Sequence, residues 1–196
     1  MKPSEAVGVY ICHCGTSIAG TVDVEAVADF AAGLEGVVIA RHVDYMCLSP
    51  GQALIQDDIR EMGVDRVVVA ACSPLMQEIT FRQVCEAEGL NPFLFQMTNI
   101  REHCAWITSD RDKATEQSMD LVSAAVHRVR WHQPLEISST FVKQSALVVG
   151  GGIAGIEAAL RIADSGKQVY LVEREPNIGG HMAQLHKTFP TLDCAA

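Results

Sequence analysis

The chain has 196 residues, and its 24 Asp and Glu outnumber its 15 Lys and Arg, which gives a formal net charge of −9. This length allows one large domain, or one domain and part of a second. The acidic excess argues against nucleic-acid binding, which depends on clustered Lys and Arg. No apolar run approaches the ~18–20 residues of a membrane span. The N-terminus also lacks a signal peptide, so the sequence predicts a cytoplasmic protein.

Seven cysteines are an odd number, and they are too few for a disulfide framework in a chain of this size. In a reducing compartment, clustered thiols indicate metal binding or redox chemistry. A single cysteine, in contrast, is more often a small buried apolar side chain. The positions of the cysteines relative to the predicted elements must therefore decide between the two.

The first part of the chain alternates strand-like and helix-like patterns. The predicted order is strand 8–12, helix 22–34, strand 36–40, helix 49–62, strand 66–71, helix 73–89, strand 92–97 and helix 110–131. Strands and helices that alternate at this spacing are typical of parallel βαβ units. The sequence thus predicts a doubly wound α/β domain over residues 1–132, followed by a linker over residues 133–144.

A glycine-rich motif follows the next predicted strand, 145–149. Gly150-Gly-Gly-Ile-Ala-Gly155 leads into a predicted helix over 156–165, and strand 168–172 ends at Glu173. A G-x-G-x-x-G sequence between strand and helix, with a later acidic residue, is the fingerprint of dinucleotide binding. Gly150 makes the tight turn, Gly152 lets the pyrophosphate approach the backbone, and Gly155 permits close packing of the helix. The alternative is a glycine turn with only a structural role.

The segment after this strand favours FAD over NAD. Arg174-Glu-Pro-Asn-Ile-Gly-Gly180 resembles the continuation in FAD-binding proteins with two dinucleotide domains, where an Ile-Gly-Gly turn lies over the pyrophosphate. Residues 145–196 are therefore predicted to form the first βαβ unit of a Rossmann-type FAD domain. Glu173 is expected to bind the ribose, and the start of the helix the phosphates. The predicted contacts to the cofactor are Gly150, Gly152, Ile153, Ala154, Gly155, Glu173, Arg174, Gly179 and Gly180.

Four cysteines lie where predicted strands of the first domain end. Cys12 and Cys14 come at the end of the first strand, Cys47 after the second and Cys72 after the third. Because ligands of doubly wound sheets collect at the carboxyl ends of the strands, these thiols are expected to share one edge. Four thiolates suit a [4Fe–4S] cluster or a tetrahedral Zn²⁺, and buried thiols without metal are the alternative. Weaker expectations concern Cys104 as a further ligand, Cys85 as a core residue, and His13, His42 and His103 as ordinary loop histidines.

Several longer stretches resemble the N-terminal part of the A-type subunit of heterodisulfide reductase, a family of iron–sulfur flavoproteins of the thioredoxin-reductase-like class. They include Cys12-His-Cys-Gly-Thr16, Met46-Cys-Leu-Ser-Pro-Gly-Gln52, Asn99-Ile-Arg-Glu-His-Cys104 and Lys187-Thr-Phe-Pro-Thr-Leu-Asp-Cys194. The resemblance implies an oxidoreductase that transfers electrons through FAD and iron–sulfur clusters, with flavin-based electron bifurcation. The partners that it implies are the B- and C-type subunits of heterodisulfide reductase, ferredoxin, and an electron-input component from a hydrogenase or formate dehydrogenase. It also implies Cys194 as a further cluster ligand.

The sequence departs from this family where it stops, about 50 residues into the predicted FAD domain. Relatives continue with another cysteine after the position of Cys194, and in some of them a selenocysteine encoded by UGA stands near that point. We therefore expect a truncated chain, produced by such a codon or by design. This piece alone is expected to be inactive, to bind FAD weakly and to associate into oligomers. The alternative functions are a cofactor-free docking module and a Zn-stabilised domain.

Overall fold

Four parallel strands form the sheet of the N-terminal unit. A computed structural model describes residues 6–194, which divide into the units Met1–Ile137 and Ser138–Ala196. The sheet has the order β2-β1-β3-β4. Its strands are β1 (Val7–Cys12), β2 (Val37–Val43), β3 (Arg66–Ala71) and β4 (Phe95–Asn99). All neighbouring pairs are parallel, so the predicted α/β fold with a parallel sheet is confirmed.

Helices cover both faces of this sheet. They are α1 (Thr16–Ala19), α2 (Val24–Ala32), α3 (Ser49–Met62), α4 (Pro74–Ala87) and α5 (Arg111–Val129). One core lies between the sheet and α2 with α5, and the other lies between the sheet and α3 with α4. The central strands β1 and β3 are buried almost throughout, as their continuous apolar sequences predict for strands covered on both faces.

Local signals in the sequence set where these helices begin. Asp23 and Asp110 accept hydrogen bonds from the backbone of the first turns of α2 and α5, and such caps satisfy amides that the helix leaves unpaired. The helices α3 and α4 each have a proline in the first turn, where its missing N–H costs nothing. Gly63 ends α3 in the left-handed region, with a φ of 66°, which glycine adopts without strain.

Several boundaries differ from the sequence prediction. Strand β2 continues beyond residue 40 to Val43, because the polar residues Arg41 and His42 pair with β1. Strand β4 begins later than predicted, at Phe95, since Asn91 forms a turn through a 3.0 Å hydrogen bond to the amide of Phe93. The short helix α1 and a π-helical turn over Arg101–Ala105 were not predicted.

The open edge of β4 is covered by side chains rather than by a fifth strand. Gln96 Nε2 donates to the carbonyl oxygen of Met97 at 2.7 Å, and His132 Nδ1 lies 3.1 Å from the carbonyl oxygen of Phe93. Arg82 donates to the carbonyl oxygen of Pro92. Three backbone acceptors in and just before β4 therefore have side-chain partners.

The C-terminal unit is a single βαβ element with a two-stranded parallel sheet. It contains β5 (Ser145–Val149), α6 (Ile153–Asp164), β6 (Gln168–Val172) and a 3₁₀ turn over Met182–Gln184. The large apolar side chains Leu147, Val149, Tyr170 and Val172 are at least half exposed. Residues 133–144 form neither helix nor strand, and the predicted division into domains at 132 and 145 stays a prediction.

None of the helices in residues 6–194 is long and apolar enough to cross a membrane.

Candidate functional site

The glycine loop joins β5 to α6 in a conformation that needs glycine at two positions. Gly150 has a φ of 105°, a backbone region that L side chains rarely adopt. A Cβ atom at Gly155 would collide with the carbonyl oxygen of Gly150, so the first turn of α6 packs directly on the loop. Gly152 precedes α6 as its N-cap in an extended conformation. The amides that begin α6 are therefore free to bind an anion.

Glu173 lies at the end of β6 and holds the loop from the other side. Its Oε2 accepts a 2.5 Å hydrogen bond from the amide of Gly151, and its Oε1 accepts bonds from the amides of Arg174 and Glu175 at 2.6 and 2.9 Å. The backbone hydrogen bonds from Glu175 and Gly151 lower the pKa of this carboxyl below its ordinary value. Glu173 is thus an ordered anion beside the glycine loop.

A second turn at Gly179 and Gly180 lies against the same loop. The amide of Gly179 donates to the carbonyl oxygen of Gly151 at 2.6 Å, and both glycines have positive φ values of 114° and 54°. A cleft of about 540 Å³ opens beside this turn. It is lined by Glu173, Arg174, Glu175, Pro176, Asn177, Ile178, Gly180, His181, Ala183 and Gln184.

These residues fit a dinucleotide. Among the predicted contacts, Gly150, Gly152 and Gly155 form the loop, Ile153 and Ala154 begin α6, and Glu173 with Arg174 follows β6. Beside Gly152 there is open space where a side chain would stand, and an approaching pyrophosphate needs that space. The contacts of these residues with a cofactor stay a prediction.

The thiols of the N-terminal unit collect at the carboxyl edge of its sheet, as their strand positions predicted. Cys12 is the last residue of β1, and Cys47 and Cys72 follow β2 and β3. The Cys12 sulfur accepts hydrogen bonds from the amides of Cys14 and Met46 at 3.3 and 3.4 Å. Cys14 has a φ of 49°, an uncommon conformation that turns the chain back over Cys12.

A cation that the sequence reasoning missed contacts this edge. Arg101 Nη1 donates to the Cys14 sulfur at 3.3 Å, and the guanidinium is held by Glu102 at 2.8 Å. Its side chain is 13% exposed. Arg101 begins the π-helical turn after β4, and such turns are frequent at functional sites. Its place after a strand end was the available signal, because the carboxyl ends of parallel strands meet at one edge.

The thiols at this edge favour the protonated form. Burial raises the pKa of Cys12 and raises that of Cys72 to about 11, although the charge of Arg101 acts in the opposite direction. Within residues 6–194, no three Cys, His, Asp or Glu side chains are grouped closely enough to hold a metal ion. The four cysteines thus share an edge and have the right donor chemistry, but their sulfurs are not assembled as a ligand set.

The other cysteines lie elsewhere. Cys104 is fully buried in the core beneath α5, where burial raises the pKa of its thiol, so it lies in the core rather than in a loop at the edge. Cys85 is a core residue between α4 and the sheet, as predicted. Cys194 is exposed and forms an isolated antiparallel bridge with Lys187.

Comparison with known proteins agrees with the glycine loop. The sequence model of the FAD dependent oxidoreductase family matches residues 146–192, a stretch that includes this loop and Glu173. The match supports FAD as the nucleotide that a site of this type binds.

Curated relatives match nearly the whole chain. The chain is 56% identical over 190 residues to the A-type subunit of the H(2):CoB-CoM heterodisulfide,ferredoxin reductase of Methanothermobacter marburgensis. It is 55% identical over 190 residues to the second A-type iron–sulfur subunit of the CoB–CoM heterodisulfide reductase of Methanopyrus kandleri. Both alignments cover 96% of this chain and 29% of the relative. A protein of Archaeoglobus profundus that is named as similar to this type of subunit is 53% identical over 191 residues, which are 97% of this chain and 27% of that protein.

The chain thus spans less than a third of the length of these relatives. The resemblance seen in the sequence motifs is confirmed: over the aligned residues, the chain is a relative of the A-type subunit of heterodisulfide reductase.

Proposed function

We propose that this chain provides a FAD-binding loop and a thiol-bearing domain to an electron-transferring oxidoreductase, as the A-type subunit of a heterodisulfide reductase does. The observation that carries the proposal is the glycine loop, with Gly155 packed on Gly150 and Glu173 bonded to the amide of Gly151. When bound, FAD supplies the redox chemistry, and the protein supplies position and electrostatics.

The residues of the C-terminal unit divide the binding of FAD between them. The amides at the start of α6, from Ile153 onward, bind and orient the pyrophosphate, whose charge the helix N-terminus favours. Glu173 accepts hydrogen bonds from the ribose hydroxyls, because its own backbone bonds keep it ionised and fixed. The turn at Gly179 and Gly180 excludes water from the pyrophosphate, since it is fastened to Gly151.

A substitution at Gly152 tests the flavin site without disturbing the fold. No atom lies within 4 Å of a Cβ placed at this residue, so Gly152→Val fills the space of the pyrophosphate and leaves the chain folded. We expect its affinity for FAD, measured by quenching of flavin fluorescence, to fall at least about tenfold, which is ~1.4 kcal/mol of binding free energy.

The matched control is Ala158→Val, which adds a side chain of the same kind on the exposed side of α6 outside the loop. We expect this variant to bind FAD within about twofold of the unaltered chain. Equal affinity in both variants, with unchanged circular dichroism, rejects the site.

We further propose that Cys12, Cys14, Cys47 and Cys72 are the ligands of a [4Fe–4S] cluster, with Cys104 a weaker candidate and Cys194 a ligand in a longer protein. Support comes from the shared sheet edge, from the two amides that donate to the Cys12 sulfur and from Arg101 beside Cys14. Hydrogen bonds to sulfur are one of the levers that set cluster potentials. Binding requires the sulfurs to move closer together than they are here.

Metal analysis of anaerobically purified protein separates this proposal from the two alternatives. Iron and sulfide near four per chain, lost in Cys12→Ser and Cys72→Ser but kept in Cys85→Ala, support the cluster. One zinc per chain supports a Zn-stabilised domain. Neither metal supports a cofactor-free docking module.

The partners follow from the proposed type of enzyme. We propose a cytoplasmic complex with B- and C-type subunits of heterodisulfide reductase and with ferredoxin. A hydrogenase or formate dehydrogenase component supplies its electrons, and electron bifurcation takes place at the flavin. The names of the relatives include hydrogen, ferredoxin and the CoB–CoM heterodisulfide, which supports this choice.

A further inference from the structure

Two histidines meet at the carboxyl ends of β1 and β2. His13 directly follows β1, and His42 pairs in register with Ile11 near the end of β2. The expectation of an ordinary loop residue is therefore wrong for His42, which belongs to a strand. Neighbouring parallel strands thus bring both imidazoles to the edge at which doubly wound sheets bind ligands.

The two rings face each other through nitrogen atoms. His13 Nε2 lies 2.9 Å from His42 Nδ1, while the ring centroids are 5.1 Å apart and the planes are 17° from parallel. Since the nitrogens are far closer than the centroids, the rings meet edge to edge rather than face to face. A neutral imidazole has one protonated and one unprotonated nitrogen, so two facing nitrogens share a single proton.

Asp44 sets which nitrogen of His13 carries its proton. Its Oδ1 lies 3.3 Å from His13 Nδ1, so this nitrogen donates to the carboxylate and Nε2 presents its lone pair to His42. A carboxylate on the remote ring nitrogen is the arrangement that orients metal-binding histidines and makes them better ligands. The Asp44 side chain is 80% exposed, which leaves the pair accessible to ions from solvent.

The surrounding charges favour a cation at this place. Asp44 is an anion next to the pair, and the neighbouring Arg41 is neutralised by Asp58 through hydrogen bonds of 2.8 and 2.7 Å. The chain as a whole carries a net charge of −9, which attracts divalent ions to its surface.

We propose that His13 Nε2 and His42 Nδ1 form a binding site for a divalent transition-metal ion of the Zn²⁺ class. Imidazole is a preferred ligand of zinc, copper, nickel and iron. Two Zn–N bonds of about 2.0–2.1 Å at a tetrahedral angle place the nitrogens ~3.3–3.4 Å apart. The ion thus replaces the shared proton after a small opening of the pair, and the proton of His42 moves to its Nε2.

This site has two protein ligands and open positions. No third Cys, His, Asp or Glu completes a ligand group with them within residues 6–194, so water occupies the remaining positions. Metal sites that keep an exchangeable position bind a further ligand there, whereas structural sites are closed. The site is therefore of the kind that exchanges a water for a small anionic or thiol ligand.

Titration of the 196-residue chain with Co²⁺, without oxygen and with a phosphine reductant, tests the proposal and separates it from binding by the cysteines. Nitrogen and oxygen ligands give cobalt d–d bands alone, whereas thiolates add an intense charge-transfer band. We expect one Co²⁺ with d–d bands, and at least a tenfold loss of affinity in His13→Gln and in His42→Gln. Asp44→Asn is expected to weaken binding by about tenfold, as loss of such a carboxylate does elsewhere.

The control is His127→Gln on the exposed side of α5, which is expected to bind within about twofold of the unaltered chain. Glutamine keeps a donor and an acceptor, so the contact between the strands survives, and the two variants test it from different strands. Absence of Co²⁺ binding to the unaltered chain overturns the proposal. Unchanged affinity in both histidine variants, or a thiolate band that persists in the double variant, does so as well.

Discussion

The two units of this chain use the same βαβ element and bury it to very different extents. In the N-terminal unit, Tyr10 and Phe81 are 0% and 1% exposed, and helices cover both faces of the sheet. In the C-terminal unit, no residue of α6 is buried, and Leu147 is 65% exposed. A helix on one face of two strands therefore does not make a core, and layers on both faces of a parallel sheet do.

The largest test of this difference compares a core residue of each unit. Phe81→Ala removes a ring that packs between α4 and the sheet, and we expect the free energy of unfolding to fall by about 3–5 kcal/mol. Leu147→Ala in the C-terminal unit is expected to change it by less than ~0.5 kcal/mol. Urea denaturation followed by the fluorescence of Trp106 and Trp131 measures the first, and circular dichroism measures both. An equal loss in the two variants would show that the face with Leu147 is covered in solution.

A second test concerns the carboxylate buried in the N-terminal unit. Asp58 on α3 is 3% exposed and bonds both Arg41 on β2 and the Tyr10 hydroxyl on β1. Asp58→Asn breaks this pair, and because the Arg41 side chain is 42% exposed, the expected cost is about 2–3 kcal/mol, below that of a fully buried pair.

The matched control is the preceding residue. Asp57 pairs with Arg60 at 3.1 Å, with both side chains more than half exposed, so Asp57→Asn is expected to cost less than ~0.5 kcal/mol. Both are measured by thermal and urea unfolding. A cost for Asp57→Asn as large as that for Asp58→Asn would remove burial as the cause.

The smallest effect concerns His132, which follows α5. Burial, and then the neighbouring charges of Arg128 and Arg66, lower the pKa of its imidazole. The folded chain therefore binds fewer protons than the unfolded chain just below the ordinary histidine value of about 6.5. Its stability falls as the pH decreases through this range and is unaffected by this group above it.

We expect His132→Gln to flatten that part of the curve of stability against pH, measured by urea unfolding at a series of pH values. His127→Gln is the exposed control and is expected to keep the slope. A slope that persists in the His132 variant assigns it to another group.

The sequence predicted those elements whose residues carry their own signals. Strand β3 is a continuous apolar run, and α5 begins at the cap Asp110, so both were predicted close to their observed bounds. The gathering of Cys12, Cys14, Cys47 and Cys72 at one edge followed from the rule that parallel strands end together.

Features that depend on tertiary contacts were missed. The end of β2 is polar, and it is a strand because it pairs with β1, so packing overrides its weak propensity. The π-helical turn that positions Arg101 forms because Asn99 Oδ1 accepts the amides of Arg101 and Glu102 at 3.1 and 2.9 Å. The contact of His13 with His42 depends on the register of two strands far apart in the chain, which spacing alone does not reveal.

The side chains that cover β4 affect how the protein behaves at high concentration. An exposed strand edge with free carbonyl groups is a template on which other chains pair and aggregate. Gln96, Arg82 and His132 bond the carbonyl oxygens of Met97, Pro92 and Phe93, so these acceptors are not free for a foreign strand. The four-stranded sheet of this unit is thus protected from edge-to-edge aggregation without a fifth strand.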